Sequence, residues 1–253
     1  YLYKSEKIKP TSKSIKMHFG LDSPKFGVIR AELKNLFAEV RDYRDVKLKF
    51  DNWSGYLEIV YGEKQKEENL FFLHTYLSTL VKLLIHLKIS LGESMKTDEI
   101  LPILLGNRFA QFGIVNFSEE DFFTWPMNIA IRKRSSKIFS GLLLELERFD
   151  IDAIDEDVLK DLYQELVDPE VRKLLGEFYT PDWLAEKMVI ETLDDDPLKS
   201  VLDPACGSGT FLFHVIKFKI RKLTKNGMKK PDILKHITQN VFGFDIHPLA
   251  AII

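Results

Sequence analysis

The side chains best suited to chemistry lie in one short segment, where an apolar run ends in an acid and leads through two glycines into a second apolar run. In order, the segment contains Val201, Leu202, Asp203, Pro204, Ala205, Cys206, Gly207, Ser208, Gly209, Thr210 and Phe211. Glycine allows a sharp backbone turn and the close approach of a ligand. We expect a strand to end at Asp203 and a helix to follow, capped by Ser208 and Thr210, with its N-terminal N–H groups facing the ligand.

This layout is typical of a nucleoside-binding turn in a parallel α/β sheet. A phosphate-binding loop places Lys and then Ser or Thr after its glycines, and this segment has neither in that position. A turn whose glycines serve only tight packing remains the alternative at this point.

A second acid follows the next apolar run. Asp245 stands in the phrase Gly243-Phe244-Asp245-Ile246-His247-Pro248. At the end of a neighbouring strand, a carboxylate is placed to accept hydrogen bonds from both hydroxyls of a ribose. A capping or turn role is the alternative, but the distance from Asp203 favours ribose binding.

A third phrase, Gly176-Glu177-Phe178-Tyr179-Thr180-Pro181, precedes the glycine turn. Taken alone, it predicts a helix that ends at Gly176 and another that begins with Thr180 as its N-cap and Pro181 in its first turn.

Together, in this order and spacing, the three phrases resemble the N6-adenine DNA methyltransferases of restriction-modification systems, of the type IIG or type I modification-subunit kind. The resemblance implies S-adenosylmethionine as the cofactor. It implies that Thr180 and Tyr179 hold the methionine end, that the turn surrounds the sulfonium side, and that Asp245 binds the ribose, where the family more often has Glu. The cofactor-binding residues it implies are Phe178, Tyr179, Thr180, Pro181, Asp203, Pro204, Ala205, Cys206, Gly207, Ser208, Gly209, Thr210, Asp245 and Ile246.

No residue of this chain is predicted to be catalytic. The family transfers its methyl group with an [NDS]-P-P-[YFW] loop, and the sequence contains no Pro-Pro pair. We therefore expect the first part of a longer enzyme. Cys206 has no base near it in sequence and is interpreted as a small side chain in a tight turn rather than a nucleophile. His247 is interpreted as structural or as a neighbour of the adenine. No residues have the spacing of metal ligands.

The resemblance also implies partners for the full-length protein: double-stranded DNA, a target-recognition domain or subunit, and a fused or associated nuclease. Two basic stretches, 132–137 and 217–222 continuing to Lys229-Lys230, are candidates for phosphate contacts, although a solvated helix face is the commoner explanation. Two other functions stay open. One is an RNA guanine-N2 methyltransferase, which has a similar loop, and the other is a non-catalytic helical interaction module with a vestigial cofactor fold.

Composition sets the broad class. The chain has 253 residues, a formal charge of -2 and a single cysteine, Cys206. The charge argues against indiscriminate polyanion binding but permits a local basic face, and a lone cysteine suits a reducing cytoplasm. The apolar run 69–89 is interrupted by polar residues, which favours a buried helix over a membrane span.

The elements that must position these residues fall into two parts. Residues 1–167 predict a mainly α-helical N-terminal domain, and residues 168–253 predict the start of an α/β Rossmann-like methyltransferase domain. In the first part we expect an irregular arm over 1–25, helices over 25–42, 69–89, 97–105, 126–149 and 158–167, and short strands over 46–50 and 56–61. In the second part we expect helices over 169–175, 181–193, 208–224 and 231–239, with another from Pro248, and strands over 200–203 and 241–245. His74 and Trp125 are predicted core residues.

Overall fold

A computed structural model describes residues 7–62, 67–90, 100–114, 121–154, 158–167, 169 and 180–246. The described residues divide into two compact units. Those up to 169 belong to the first unit and those from 180 to the second.

The described part of the first unit is mainly helical, with one parallel β-bridge between Ile8 and Phe149. Its α-helices are α1 (Ser12–Phe19), α2 (Pro24–Val40), α3 (Arg44–Tyr61), α4 (Glu68–Ile89), α5 (Ile100–Leu104), α6 (Asn107–Ala110), α7 (Arg132–Leu146) and α8 (Val158–Leu166). Two short 3₁₀ helices, Phe122–Met127 and Ile151–Ala153, join them. The prediction of a mainly helical first part agrees with this arrangement.

An aromatic cluster around α4 forms the core of this unit. The Phe71 ring lies 5.0 Å from Trp53, 5.9 Å from Phe37 and 6.1 Å from Trp125, measured between ring centroids. Trp53 donates its indole N–H to His74 Nδ1 (3.2 Å), and Trp125 donates to Thr75 Oγ1 (2.9 Å). Both predicted core residues, His74 and Trp125, are fully buried, and that prediction is confirmed.

Helix α4 is long and apolar enough by length and composition to cross a membrane, but most of it is buried inside the helical unit. Several of its polar residues form hydrogen bonds there. Lys82, for example, donates to the Leu104 carbonyl (3.1 Å) and to Asp121 Oδ2 (2.5 Å). The apolar surface of α4 is therefore covered by protein, in agreement with its prediction as a buried helix.

The two predicted strands at 46–50 and 56–61 are wrong, because both segments belong to α3. The local alternation of polar and apolar residues concealed a helical period, in which Val46, Trp53 and Leu57 fall on one face and are fully buried. The irregular arm predicted over the first 25 residues is also wrong for residues 12–19. There Thr11 and Ser14 form a capping box, and Ile15 and Phe19 are buried one turn apart.

The long helix predicted over 126–149 begins later than expected. A 3₁₀ helix occupies 122–127, α7 starts at Arg132, and the helix continues without a break through Ser135 and Ser136. Ser135 instead donates to the Ile131 carbonyl one turn back (3.2 Å), which keeps its hydroxyl paired within the helix. The predicted helix 169–175 and the one from Pro248 lie outside the described residues, apart from Pro169.

The second unit contains α9 (Asp182–Leu193), β1 (Val201–Asp203), α10 (Thr210–Lys225), α11 (Lys230–Asn240) and β2 (Val241–Gly243). β1 and β2 are parallel, with Val201 opposite Val241, Leu202 opposite Phe242 and Asp203 opposite Gly243. Two parallel strands need a long crossover between them, and α10 and α11 supply it. Each element falls within two residues of its predicted bounds.

One face of this strand pair is covered and the other is exposed. Val189 and Leu193 of α9 pack with Val215 and Phe218 of α10 against Val201 and Val241. Leu202 and Phe242, which point to the opposite face, are 56% and 46% exposed. The described part of the unit is therefore a helix layer on one side of two parallel strands.

We predict that Thr75→Val lowers the free energy of unfolding by about 1–3 kcal/mol, because it leaves the buried indole N–H of Trp125 without an acceptor. Urea unfolding followed by tryptophan fluorescence measures the change. Phenylalanine has no N–H that needs an acceptor, so in a Trp125→Phe background the same substitution should lower the free energy of unfolding by less. An equal loss of unfolding free energy in the two backgrounds would contradict the hydrogen bond between Trp125 and Thr75.

Candidate functional site

The predicted glycine turn and the predicted acid meet where the two parallel strands end. β1 ends at Asp203 and β2 ends beside it at Gly243, so the chain after each strand leaves from the same edge. In open parallel sheets, ligands bind outside the carboxyl ends of the strands. The register therefore places the loop 204–209 next to Asp245.

Three hydrogen bonds join Asp203 and the loop to the segment after β2. Phe244 N–H donates to the Asp203 carbonyl (2.9 Å), and Cys206 N–H donates to the Phe244 carbonyl (2.9 Å). Gly207 N–H donates to Asp245 Oδ2 (2.7 Å). This last contact is a charge-assisted bond to a carboxylate, the stronger kind of hydrogen bond, and it fixes Asp245 against the glycine turn.

Two polar atoms of the loop are buried and have no hydrogen-bond partner among the described residues. Asp203 Oδ1 accepts from Ala205 N–H (3.2 Å), but Asp203 Oδ2 has no partner there, and neither has Ser208 Oγ. A buried polar atom without a partner is costly and calls for an explanation such as a ligand. These two oxygens are therefore the atoms of the loop best placed to receive donors from a bound molecule.

The glycines shape the turn, and the caps predicted for Ser208 and Thr210 are wrong. Gly207 and Gly209 have φ of 55° and 89°, in the left-handed region that side chains disfavour. Gly209 is the N-cap of α10 and makes no side-chain capping bond. Because the chain enters the helix through a left-handed glycine, Ser208 precedes the cap position and Thr210 is already the first helical residue, where its side chain is buried.

Gly243 has a role that the sequence did not assign. A Cβ built there would overlap Leu212 Cδ1 and lie 3.1 Å from Cys206 Sγ. β2 thus approaches the loop and α10 closely, and a side chain at position 243 would have to displace the end of Leu212 and press against Cys206. The signal in the sequence is a glycine inside an otherwise apolar strand. Such a glycine often marks a position where another part of the chain or a ligand comes close to the backbone.

Cys206 lies partly buried between the two acids. Burial raises the pKa of its thiol above the ordinary value, and the carboxylates of Asp245 and Asp203 raise it further. A reactive cysteine needs the opposite, an environment that stabilises the thiolate. This chemistry agrees with the interpretation of Cys206 as a turn residue rather than a nucleophile.

The third phrase is only partly described. Phe178 and Tyr179 lie outside the described residues, whereas Thr180 and Pro181 lie at the start of α9. The N-cap prediction for Thr180 is wrong by one position, because Pro181 takes that place with φ -57° and ψ 137° and no side-chain bond. The first residue of the helix, Asp182, pairs through Oδ1 with His214 Nε2 of α10 (3.5 Å), which joins the start of α9 to the helix that follows the loop.

The remaining predicted residues lie on the rim. Pro204, Ala205 and Ile246 are exposed, and Ile246 follows Asp245 directly. His247 lies outside the described residues. Within the described ranges, no group of three or more His, Cys, Asp or Glu side chains is arranged to hold a metal ion.

Comparisons with known proteins find similarity to DNA methylases. Residues 154–249 match the N-6 DNA Methylase family. The chain is also similar to a type I restriction enzyme MjaVII methylase subunit from Methanocaldococcus jannaschii, with 30% identity over 109 residues. The similarity covers 42% of this chain and 16% of the relative. No solved structure matches the chain.

We predict that Gly243→Ala lowers the free energy of unfolding by about 1–3 kcal/mol, because the new methyl group overpacks the contact with Leu212 and Cys206. Urea unfolding measures the change. The matched control is Gly55→Ala, where a Cβ meets nothing within 4 Å and the backbone is helical, so stability should rise slightly. Adding Leu212→Ala to Gly243→Ala should relieve the overlap at position 243; a full additive loss would contradict the packing argument.

We predict that the labelling of Cys206 by a thiol reagent shows a pH midpoint above the ordinary thiol pKa of about 8.5. Asp245→Asn should lower that midpoint, because it removes a negative charge near the thiol and keeps an acceptor for Gly207 N–H. Cys206 is the single cysteine, so the whole signal comes from this site. Asp232→Asn, an exposed carboxylate in α11, is the control and should leave the midpoint unchanged. An unchanged midpoint in Asp245→Asn would contradict the electrostatic coupling.

Proposed function

We propose that this chain supplies the cofactor-binding part of a site-specific DNA adenine-N6 methyltransferase of a restriction-modification system. The premise is the match of residues 154–249 to the N-6 DNA methylase family. The observation that carries the proposal is the junction at the strand ends. There, Gly207 N–H binds Asp245, and Asp203 Oδ2 and Ser208 Oγ are buried without partners among the described residues.

The residues present fit S-adenosylmethionine, which when bound supplies an activated methyl group on a sulfonium. The orphaned oxygens of Asp203 and Ser208 would accept and donate hydrogen bonds to the amino-acid part, together with Thr180 and, in the undescribed segment, Tyr179. Asp245 would hold the ribose. Its carboxylate has about four acceptor positions, so the bond from Gly207 leaves capacity for ribose hydroxyls. The bare backbone at Gly207 and Gly209 would allow the cofactor to come close.

We propose a Rossmann-like fold for the complete domain. Parallel sheets occur almost only with both faces covered, whereas the face formed by Leu202, Phe242 and Phe244 is exposed in the described residues. Strands joined by helical crossovers, with the ligand groups at their carboxyl ends, are the unit from which doubly wound sheets are built. A second helical layer over the exposed face would complete this arrangement.

The partners follow from the relative's name, a type I restriction enzyme methylase subunit. We infer that the protein acts in the cytoplasm on double-stranded DNA and works with a target-recognition domain or subunit and with a nuclease, fused or associated. Since the sequence contains no Pro-Pro pair, we place no catalytic residue in this chain. The proposed reaction is methyl transfer to an adenine flipped out of the duplex.

Isothermal titration calorimetry of the 253-residue chain with S-adenosylmethionine tests the proposal. We predict saturable binding that Asp245→Ala weakens roughly ten- to hundred-fold, the effect of losing hydrogen bonds worth about 1.5–3 kcal/mol to a charged group. Asp232→Ala removes an equal charge from the same unit, and His247→Ala changes a neighbour of Asp245; both should retain the affinity of the wild type.

S-adenosylhomocysteine, which keeps the ribose and the amino-acid part, should compete for the same site, whereas NAD should not. If millimolar S-adenosylmethionine produced no heat of binding and no shift in the melting temperature, the cofactor proposal would be wrong. Equal weakening by Asp245→Ala and Asp232→Ala would remove the role given to Asp245.

A further inference from the structure

A groove of about 800 Å³ lies between α1, α2 and α7 of the helical unit, and we call it the α2–α7 groove. Most of its surface is apolar and is formed by Met17, Pro24, Val28, Ile29 and Ile138. Met17 and Val28 are more than half exposed, although both are apolar. Pockets of roughly 300–1,000 Å³ with an apolar lining and a few polar groups are typical of sites for small molecules. The groove therefore has the size and the lining of a ligand site.

The groove has two different ends, because α2 and α7 run in opposite directions. Lys25, near the start of α2, donates to the Gly141 carbonyl (3.1 Å) and to Glu145 Oε2 (3.1 Å), both in the second half of α7. Glu39, near the end of α2, accepts both bonds of the Arg134 guanidinium at the start of α7. A molecule in the groove would therefore meet one set of charged groups at each end.

At the first end, one carboxylate is matched by several donors. Glu145 accepts from His18 Nδ1 (2.8 Å) and pairs with Lys25 and Arg148. Burial opposes its ionisation, but the bonds from His18 and Lys25 and the charges of Lys25 and Arg148 outweigh burial and lower the pKa of Glu145. Glu145 is therefore ionised at neutral pH, and its charge is already matched by protein groups.

At the second end, Lys137 is an exposed cation that forms no hydrogen bond or ion pair among the described residues. The carboxylate on this part of the lining, Glu32, acts on Arg134. The hydrogen bond to Glu39 raises the pKa of Arg134, and the charge of Glu32 raises it further. Arg134, from the basic stretch 132–137, is thus engaged by two carboxylates, whereas Lys137 of the same stretch remains open to a ligand.

The charges in and beside the groove leave a positive excess. The charged lining residues and the groups that act on them comprise four cations and three carboxylates: Lys25, Lys137, Arg134 and Arg148 against Glu32, Glu39 and Glu145. His18 adds no negative charge in either protonation state. Since Lys137 is the cation of this set without a hydrogen bond or ion pair among the described residues, the excess lies at its end and favours an anionic group.

Gly141 keeps the middle of the groove open. α7 is an ordinary helix at this position, and a Cβ built there meets nothing within 4 Å. Neither backbone geometry nor packing therefore requires a glycine, which is less favourable than alanine inside a helix. Because Gly141 lines the groove, a long side chain there would fill it. A ligand that lies against the bare backbone gives this glycine a role.

We propose that the α2–α7 groove binds a small molecule with an apolar body and one anionic head group, and that Lys137 binds the head group. The body lies against Val28, Ile29 and Ile138 and passes the backbone of Gly141. Along α2 the lining extends over eight residues from Pro24 to Glu32, so at 1.5 Å per residue the body is at most about 12 Å long. The inference goes beyond the proposed function and shares no residue with the Asp203–Thr210 loop or Asp245.

Isothermal titration calorimetry of the 253-residue chain with octanoate tests the proposal. We predict saturable one-to-one binding. Butyrate, which keeps the head group and shortens the body, should bind at least about ten-fold more weakly, because it buries fewer methylene groups. Octylammonium, which keeps the body and reverses the charge, should bind more weakly than octanoate.

Lys137→Met keeps the apolar stem and removes the charge, so it should weaken octanoate binding about three- to ten-fold. Glu32→Gln should strengthen binding, because it removes a like charge from the lining. Lys34→Met is the matched control: it removes an exposed cation from α2 outside the lining and should retain the wild-type affinity.

Gly141→Leu should abolish octanoate binding, because the new side chain fills the groove. Gly27→Leu is its control, since Gly27 is also helical, has nothing within 4 Å of a built Cβ and is outside the lining. Circular dichroism and urea unfolding check that both variants fold. In both, leucine is the better helix former, so neither should lose stability.

Four results would each overturn the proposal. They are the absence of saturable octanoate binding in the wild type, octylammonium binding as tight as octanoate, full affinity in a folded Gly141→Leu, and equal losses in Lys137→Met and Lys34→Met. Binding of 1-octanol as tight as that of octanoate would also overturn it, because it would indicate a groove that selects apolar surface without regard to charge.

Discussion

The register of two three-residue strands determines every contact at the candidate site. β1 and β2 contribute few hydrogen bonds of their own, but the pairing continues beyond them, from Phe244 to the Asp203 carbonyl and from Cys206 to the Phe244 carbonyl. A slip of one residue would turn alternate side chains to the other face. It would remove Asp245 from Gly207 and bring a residue with a Cβ to the position of Gly243, where that Cβ would displace the end of Leu212 and press against Cys206.

The same junction concentrates negative charge, and this constrains what can occupy it. Two carboxylates, Asp203 and Asp245, lie near one thiol and raise its pKa. The backbone N–H groups of Ala205 and Gly207 donate to them, and the N-terminus of α10 follows, where the helix dipole favours negative charge. What remains is an acceptor-rich surface with Asp203 Oδ2 unpaired among the described residues. A ligand with several donors, such as ribose hydroxyls and an ammonium group, matches that surface better than another anion does.

Much of the second unit could be predicted from its sequence because its signals are local. Apolar runs that end at Asp203 and near Asp245 predict the two strands, and the glycines predict the turn between β1 and α10. The caps at Thr180, Ser208 and Thr210 were wrong because the backbone geometry at Pro181 and Gly209 decides which residue is the cap.

In the first unit, the sequence pattern of α3 wrongly predicts two strands. The buried face of α3 is defined by contacts with α4, where Trp53 packs on aromatic side chains and donates its indole N–H to His74. Those partners lie about twenty residues away and leave no local pattern.

Helix α10 shows why a run of like charges in a sequence is a poor guide to a surface. Its period of 3.6 residues sends Lys219 inward, where the ammonium holds the Pro197–Lys199 segment that leads into β1. The same period sends Lys222 to Asp195 and leaves Lys217 and Arg221 beside α9. The N-terminal end of the helix begins at the glycine turn, and its buried face packs on Val201 and Val241. One helix thus fixes the entry into β1 and supports the candidate cofactor loop.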